Sequence, residues 1–179
     1  MESFKILLLC VAAAIIYGIL HDQVTAHLCV EYFTIGHPPI FPTTNPTLLA
    51  FGWGITATWW VGVLLGVPLL LASRAGRRPK LTARHLAKRV ALLMACAGIL
   101  AAGAGVVGFF AASSGELVLL GPLAGLMPAD KHVLFLTDAC AHTVSYAAGF
   151  ILGIELCVST WKKRGLMERA ATPKPASPF

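Results

Sequence analysis

Four stretches of this chain are too long and too continuously apolar to be ordinary strands or core helices of a water-soluble domain. They run roughly over residues 4–33, 47–72, 86–112 and 132–161. Each contains about the ~20 residues that a helix needs to cross a bilayer. In the first, the apolar run covers Phe4 to Leu20, and the pattern continues as an amphipathic helix to about Phe33. The runs do not alternate apolar with polar residues, so helices are expected and not the strands of a barrel. Composition agrees. Only 12% of residues are charged and 57% are hydrophobic, where a soluble domain has about 25% charged.

The expected fold is therefore all-α: an integral membrane four-helix bundle over residues 1–169, followed by a disordered tail, 170–179, rich in proline and alanine. Start signals fit this reading. Asn45-Pro46 reads as a cap followed by proline at the first helical position, and Thr82 and Asp130 are expected caps for the third and fourth spans. Small residues recur on span three (Gly98, Ala101, Ala102, Gly105, Gly108) and on span four (Ala141, Ser145, Gly149, Gly153). Such residues let helix backbones approach closely in lipid. Trp59 and Trp60 fall near the middle of span two and are expected to pack, not to sit in an interfacial belt.

The net charge of +6 does not indicate nucleic acid, because of where the charges lie. Thirteen of the fourteen Lys and Arg residues fall before span one, between spans two and three, or after span four; Lys131 is the exception. That is the positive-inside pattern, and it predicts that both termini are cytoplasmic. A cleavable leader ending near Val24-Thr25-Ala26 is the alternative for the first run. It would leave three spans and misplace one terminus against the charge pattern, so an uncleaved helix is preferred.

Polar chemistry collects at the other end. His21, His27, His37, His132 and His142 lie in or beside the external halves, accompanied by Asp22, Glu31, Asp130 and Asp138. Gln23, His27 and Glu31 are spaced i, i+4, i+8 and would form one stripe if the first helix runs on. Asp138 and His142 are also i and i+4, on the face that carries Ser145 and Gly149. Counting about 20 residues inward from Lys5 and from Lys162 brings both groups to the same depth. Imidazole and carboxylate at matching height on two helices suit zinc, iron or manganese. The expected ligands are His27, Glu31, Asp138 and His142, with His21, Asp22, Gln23, His37 and His132 as further ligands or supporting groups. A metal-free hydrogen-bonded or proton-conducting network, and plain interfacial polarity, are the competing readings.

Other chemistries are less well supported. Cys10, Cys29, Cys96, Cys140 and Cys157 form no C-x-x-C pair, although Cys29 and Cys140 share a depth at which a disulfide could form. A single haem could bridge His27 and His142, but stacked haems lack histidines in the inner half. No phosphate loop, nucleophile elbow or His-Glu-x-x-His helix is present in the sequence.

The string His21-Asp22-Gln23, His27, Val30-Glu31-Tyr32-Phe33 and Gly36-His37-Pro38-Pro39 resembles a group of small bacterial four-span membrane proteins. The resemblance extends to Trp59-Trp60, His132, Asp138 and His142. It implies a bacterial inner membrane and carries no activity with it. Three functions follow as expectations: a metal-dependent membrane protein, catalytic or not; a membrane or periplasmic partner subunit; or a small transporter or proton path. Oligomeric state is not readable from the sequence.

Overall fold

The computed structural model describes residues 1–171, and every regular element among them is helical. The helices are α1 (Glu2–Leu28), α2 (Val30–Thr34), α3 (Pro46–Thr56), α4 (Trp59–Arg74), α5 (Ala83–Ser113), α6 (Pro122–Leu126) and α7 (His132–Ala171), the last preceded by a 3-10 turn at Ala129–Lys131. Among the described residues, four stretches are long and apolar enough to cross a membrane: α1, α3 with α4, α5, and the turn with α7.

Local chemistry sets the boundaries. Asn45 Oδ1 accepts from the Leu48 N–H at 3.1 Å, with Pro46 at the first helical position, so α3 starts as expected. The other two expected caps differ. The Thr82 hydroxyl bonds His85 Nδ1 at 2.7 Å, and the first N–H of α5, on Ala83, donates to Glu2 Oε2 at 3.2 Å. A carboxylate from the neighbouring helix thus does the capping. Asp130 lies inside the 3-10 turn. The second span is interrupted at Ala57–Thr58, where the Thr58 hydroxyl bonds the Gly54 carbonyl one turn back. The first helix does not run on to Phe33. It stops at Leu28, because Cys29 is extended (φ −144°, ψ 91°), and α2 sets off separately. At the other end α7 includes residues 170 and 171, expected to begin the tail; 172–179 lie outside the described residues.

The four spans form a ring in the order α1, α3/α4, α7, α5. Consecutive spans one and two pack together, and so do three and four, while α1 and α7 are diagonal partners. Close backbone approach holds the first pair. A Cβ on Gly54 would fall 2.6 Å from Ile19 Cα, and one on Gly18 would fall 2.7 Å from the Gly54 carbonyl oxygen. Side chains at these positions would push the helices apart. On the other pair, a Cβ on Gly108 would meet the Cys140 side chain at 2.8 Å. The outward surface is apolar, as lipid requires: Leu20, Val24, Ile99, Val107 and Phe110 are each more than half exposed. Trp59 and Trp60 are on this surface too, half exposed, so they do not pack inside as the sequence suggested.

The basic end is held by an arginine. Arg164 is fully buried and donates to four carbonyls: Pro79 (2.7 Å), Ala72 (2.8 Å), Ala75 (2.7 Å) and Arg78 (3.0 Å). These include orphan carbonyls at the C-terminus of α4, which a guanidinium fork is well shaped to satisfy. Arg89 bonds Thr160 at 2.9 Å and also Ser159. Part of the basic cluster is therefore internal glue, in addition to any role in topology.

Candidate metal centre

The inward face of α1 carries Ile6, Cys10, Ala14, Gly18, Asp22 and Ala26, all buried and spaced every fourth residue. This stripe turns the Asp22 side chain into the bundle, with His21 and Thr25 on either side of it. On α7 the residues Asp138, Ala141 and Ser145 are buried, and His142 projects toward α1. Because α1 and α7 are diagonal, their side chains meet across the interior and not along a packed helix seam.

His21, Asp22 and His142 converge there. Each offers a ligand atom, and those atoms all lie within 4.8 Å of one another. His142 Nε2 stands 3.9 Å from Asp22 Oδ1, and the His21 and His142 rings meet edge to face with centroids 4.5 Å apart. The Thr25 hydroxyl lies 3.3 Å from the His21 carbonyl, to which it donates, and 3.2 Å from His142 Nε2. One turn deeper, Tyr17 Oη and Ser145 Oγ are 2.7 Å apart.

The break at Cys29 has a structural consequence here, since it folds α2 over the cluster. Tyr32 stacks on His142 at 4.6 Å, and Phe33 meets the same ring at 5.7 Å. His37 is held by a bond between its Nδ1 and the Tyr32 carbonyl (2.8 Å) and packs on Trp53. Beneath this cover a cavity of ≈ 130 Å³ extends from the histidines toward Cys10 and Leu156. Burial raises the Tyr32 phenol above its ordinary range, so the ring on His142 remains a neutral phenol. Burial likewise pushes the Cys29 thiol up to about 11.

Among the described residues, three buried side-chain polar atoms lack a hydrogen-bond partner: His21 Nε2, Asp138 Oδ1 and Asp138 Oδ2. A buried carboxyl without partners costs several kcal/mol, about 3–5 where a pair has been broken. Native structures leave few such groups, and those few call for a reason.

Of the four ligands expected first, His142 joins the cluster, and Asp138 is buried beside it without a bond to it. The other two are turned elsewhere. His27 is exposed, with Nδ1 2.7 Å from the Gln23 carbonyl and Nε2 3.4 Å from Thr47 Oγ1. Glu31 pairs with Lys131 at 3.4 Å and accepts from the Cys29 thiol. The stripe that linked Gln23, His27 and Glu31 needed an unbroken helix, and the chain turns at Cys29. Gln23 reaches the Thr47 carbonyl (3.4 Å), and His132 Nε2 bonds the Met127 carbonyl at 3.1 Å, away from the cluster. The two residues that complete the cluster, His21 and Asp22, were expected only in support. Thr25, Tyr17 and Tyr32 were not singled out. The stripe of small residues at every fourth position on α1 is the signal that finds Asp22, with His21 and Thr25 flanking it; Tyr32, on α2, has no such signal. All five cysteines are free; Cys29 packs with Met127 and Phe135, while Cys140 faces Gly108 on α5.

No protein-family model matches the sequence, and no curated protein or solved structure matches it either. Two imidazoles and one carboxylate are a donor set for zinc or iron and also accommodate manganese. Ligand atoms on a tetrahedral ion with bonds of about 2.1 Å stand roughly 3.4 Å apart. Small side-chain rotations would therefore close the present set around an ion.

Proposed function

We propose that this chain is a membrane protein that holds a single divalent first-row metal ion, zinc, iron or manganese, between His21, Asp22 and His142. The observation that carries the reading is the convergence of three ligand atoms within 4.8 Å, on diagonal helices, under an aromatic cover. A lone interfacial histidine would mean little. Two histidines and a carboxylate turned inward from separate helices form an arrangement that hydrogen bonding alone does not require. The unpartnered His21 Nε2 supports it, because an ion would give this buried nitrogen the partner it lacks.

Three ligands leave a fourth position open, as in sites where a metal-bound water or substrate completes the sphere. Such an ion would supply a Lewis acid and an acidified water at the head of the cavity. The charge pattern supports a basic end in the cytoplasm and a metal near the opposite, periplasmic face; with the resemblance noted above, the reading is of a multi-pass bacterial inner-membrane protein with both termini inside.

The test is zinc affinity measured by chelator competition on detergent-purified protein. His21→Ala, Asp22→Asn and His142→Ala should each weaken binding at least tenfold, while His27→Ala and Glu31→Gln should not. Equal loss in both groups, or in neither, removes the reading. One observation favours a second reading, a metal-free hydrogen-bonded network: Thr25 already lies 3.2 Å from His142 Nε2. That reading expects no tight metal and a structural loss in Thr25→Val comparable to that in His142→Ala.

A further inference from the structure

The cavity beneath the cluster reaches far deeper than an ion requires. It follows α1 from Asp22 down to Cys10, just over three turns or roughly 18 Å. Its ≈ 130 Å³ equals about ten water-sized volumes. Asp22 and His142 line the head of it and keep 7% and 13% of their side chains accessible. Below them Tyr17 and Ser145 satisfy each other at 2.7 Å, and the Thr58 hydroxyl is taken by the Gly54 carbonyl. The deep walls are Leu65, Leu69, Leu93 and Leu156. A buried water needs about two to four polar partners, and the deep end offers only the Cys10 thiol. An apolar group can fill that end without costing any hydrogen bond.

The cavity also has a way in from the side. A Cβ on Gly153 would press on the Leu65 side chain at 3.0 Å, but one turn up a Cβ on Gly149 would meet nothing within 4 Å. Gly149 and Tyr146 line the cavity on the α7 side, Ala57 and Val61 on the other, and Tyr146 is also 39% exposed on the outer surface. Tyr17 bonds Ser145 and Gly18 touches Thr58, which puts the interruption of the second span at this same level. The seam between α7 and the second span is thus open toward lipid there.

We infer that this cavity takes a single-chain fatty acid from the bilayer, with its carboxylate at the metal and its chain toward Cys10. The inference rests on the metal reading above and names the ligand class of that site. Charge selects the head. A divalent ion held by two neutral imidazoles and one carboxylate keeps one positive charge in a low-dielectric interior, and a monoanion cancels it. Among the described residues no Lys or Arg lines the cavity, so the ion is the partner an anion would find. Volume selects the tail. About ten water-sized volumes in a narrow channel hold one unbranched chain of about ten carbons, and a two-chain lipid is too large.

The probe is sodium decanoate, with acetate and 1-decanol as controls, added to cobalt(II)-loaded protein in lipid nanodiscs. Cobalt stands in for zinc because its visible spectrum reports the ligands on the ion. Decanoate should change that spectrum with saturation, at an affinity at least tenfold above that of acetate, which lacks the chain, and of decanol, which lacks the charge. Ala14→Leu narrows the channel one turn below Gly18 and should weaken decanoate at least tenfold while leaving hexanoate within about twofold. Leu156→Phe, from the opposite wall, should act alike, so the reading does not rest on one variant folding. Gly149→Phe should slow the spectral change by blocking the side opening. Acetate or decanol binding as well as decanoate would overturn the inference, as would a chain-length preference that neither wall variant moves. A cobalt spectrum that decanoate leaves unchanged removes this inference and leaves the metal reading standing. Failure to bind cobalt at all removes the metal reading, and this one with it.

Discussion

His142 on α7 meets His21 on α1 edge to face at 4.5 Å, although the two helices are diagonal partners with hardly any shared seam. Long side chains bridge the interior at that point because the small residues of α1 leave room. The site thus depends on the packing order of the spans as much as on the identity of its residues.

The close approach of α1 and α3 should be sensitive to a single methyl group. Gly54→Ala would put a Cβ 2.6 Å from Ile19 Cα, which is backbone and cannot rotate aside. The expected loss is about 1–3 kcal/mol, read as a lower melting temperature in detergent. Gly149→Ala meets nothing within 4 Å and should be neutral or slightly stabilising.

Arg164 should be the most costly residue to truncate at the basic end. Its four carbonyl contacts are charge-assisted and buried, so Arg164→Ala should destabilise by about 3–5 kcal/mol. Lysine should not restore the loss, because a point ammonium cannot span four carbonyls. Thermal unfolding of the two variants decides this.

Cys29 lies beyond the last residue of the first span and is fully buried, with its thiol held up to about 11. The thiolate is the reactive form. Alkylation of folded protein should therefore stay slow between pH 7 and 9 and rise only as the pH approaches 11. The sign follows for stability too. A folded-state value raised above the unfolded 9.0 means that this contribution is intact below pH 9 and is lost as the pH rises toward 11. Iodoacetamide labelling of a variant retaining only Cys29 tests both. Rapid labelling at pH 7.5 contradicts the burial.

Glu31 and Lys131 tie α2 to the turn before α7 through a partly exposed pair. Such pairs are worth little, about 0.2–1 kcal/mol. Lys131→Ala should barely move the melting temperature, and zinc affinity should stay within about twofold.

Much of this was legible in the sequence. Apolar runs give the four spans, and counting from Lys5 and Lys162 places His21, Asp22 and His142 at one depth. The facing of individual side chains was harder to read. Gln23, His27 and Glu31 share a helical spacing, and spacing alone puts His27 and Glu31 ahead of His21 and Asp22. The break at Cys29 has no proline or glycine to announce it; it arises where Tyr32 and Phe33 pack down on His142. The stripe Cys10, Ala14, Gly18, Asp22 and Ala26 carried the opposite information, since small residues mark the packed face in lipid. The ring order of the spans is set by contacts distant in sequence, and no local pattern encodes it. Arg164 reads as one of many basic residues because its carbonyl partners come from the last turn of α4 and the loop after it, some 85 to 92 residues away in sequence.

The most direct test is the metal content of protein purified from membranes without added metal, measured by mass spectrometry alongside His142→Ala. About one zinc, iron or manganese per chain, falling below about a tenth in the variant, is the expected result for a three-ligand site. Less than about a tenth per chain in the parent, or a full complement that survives loss of His142, contradicts the assignment.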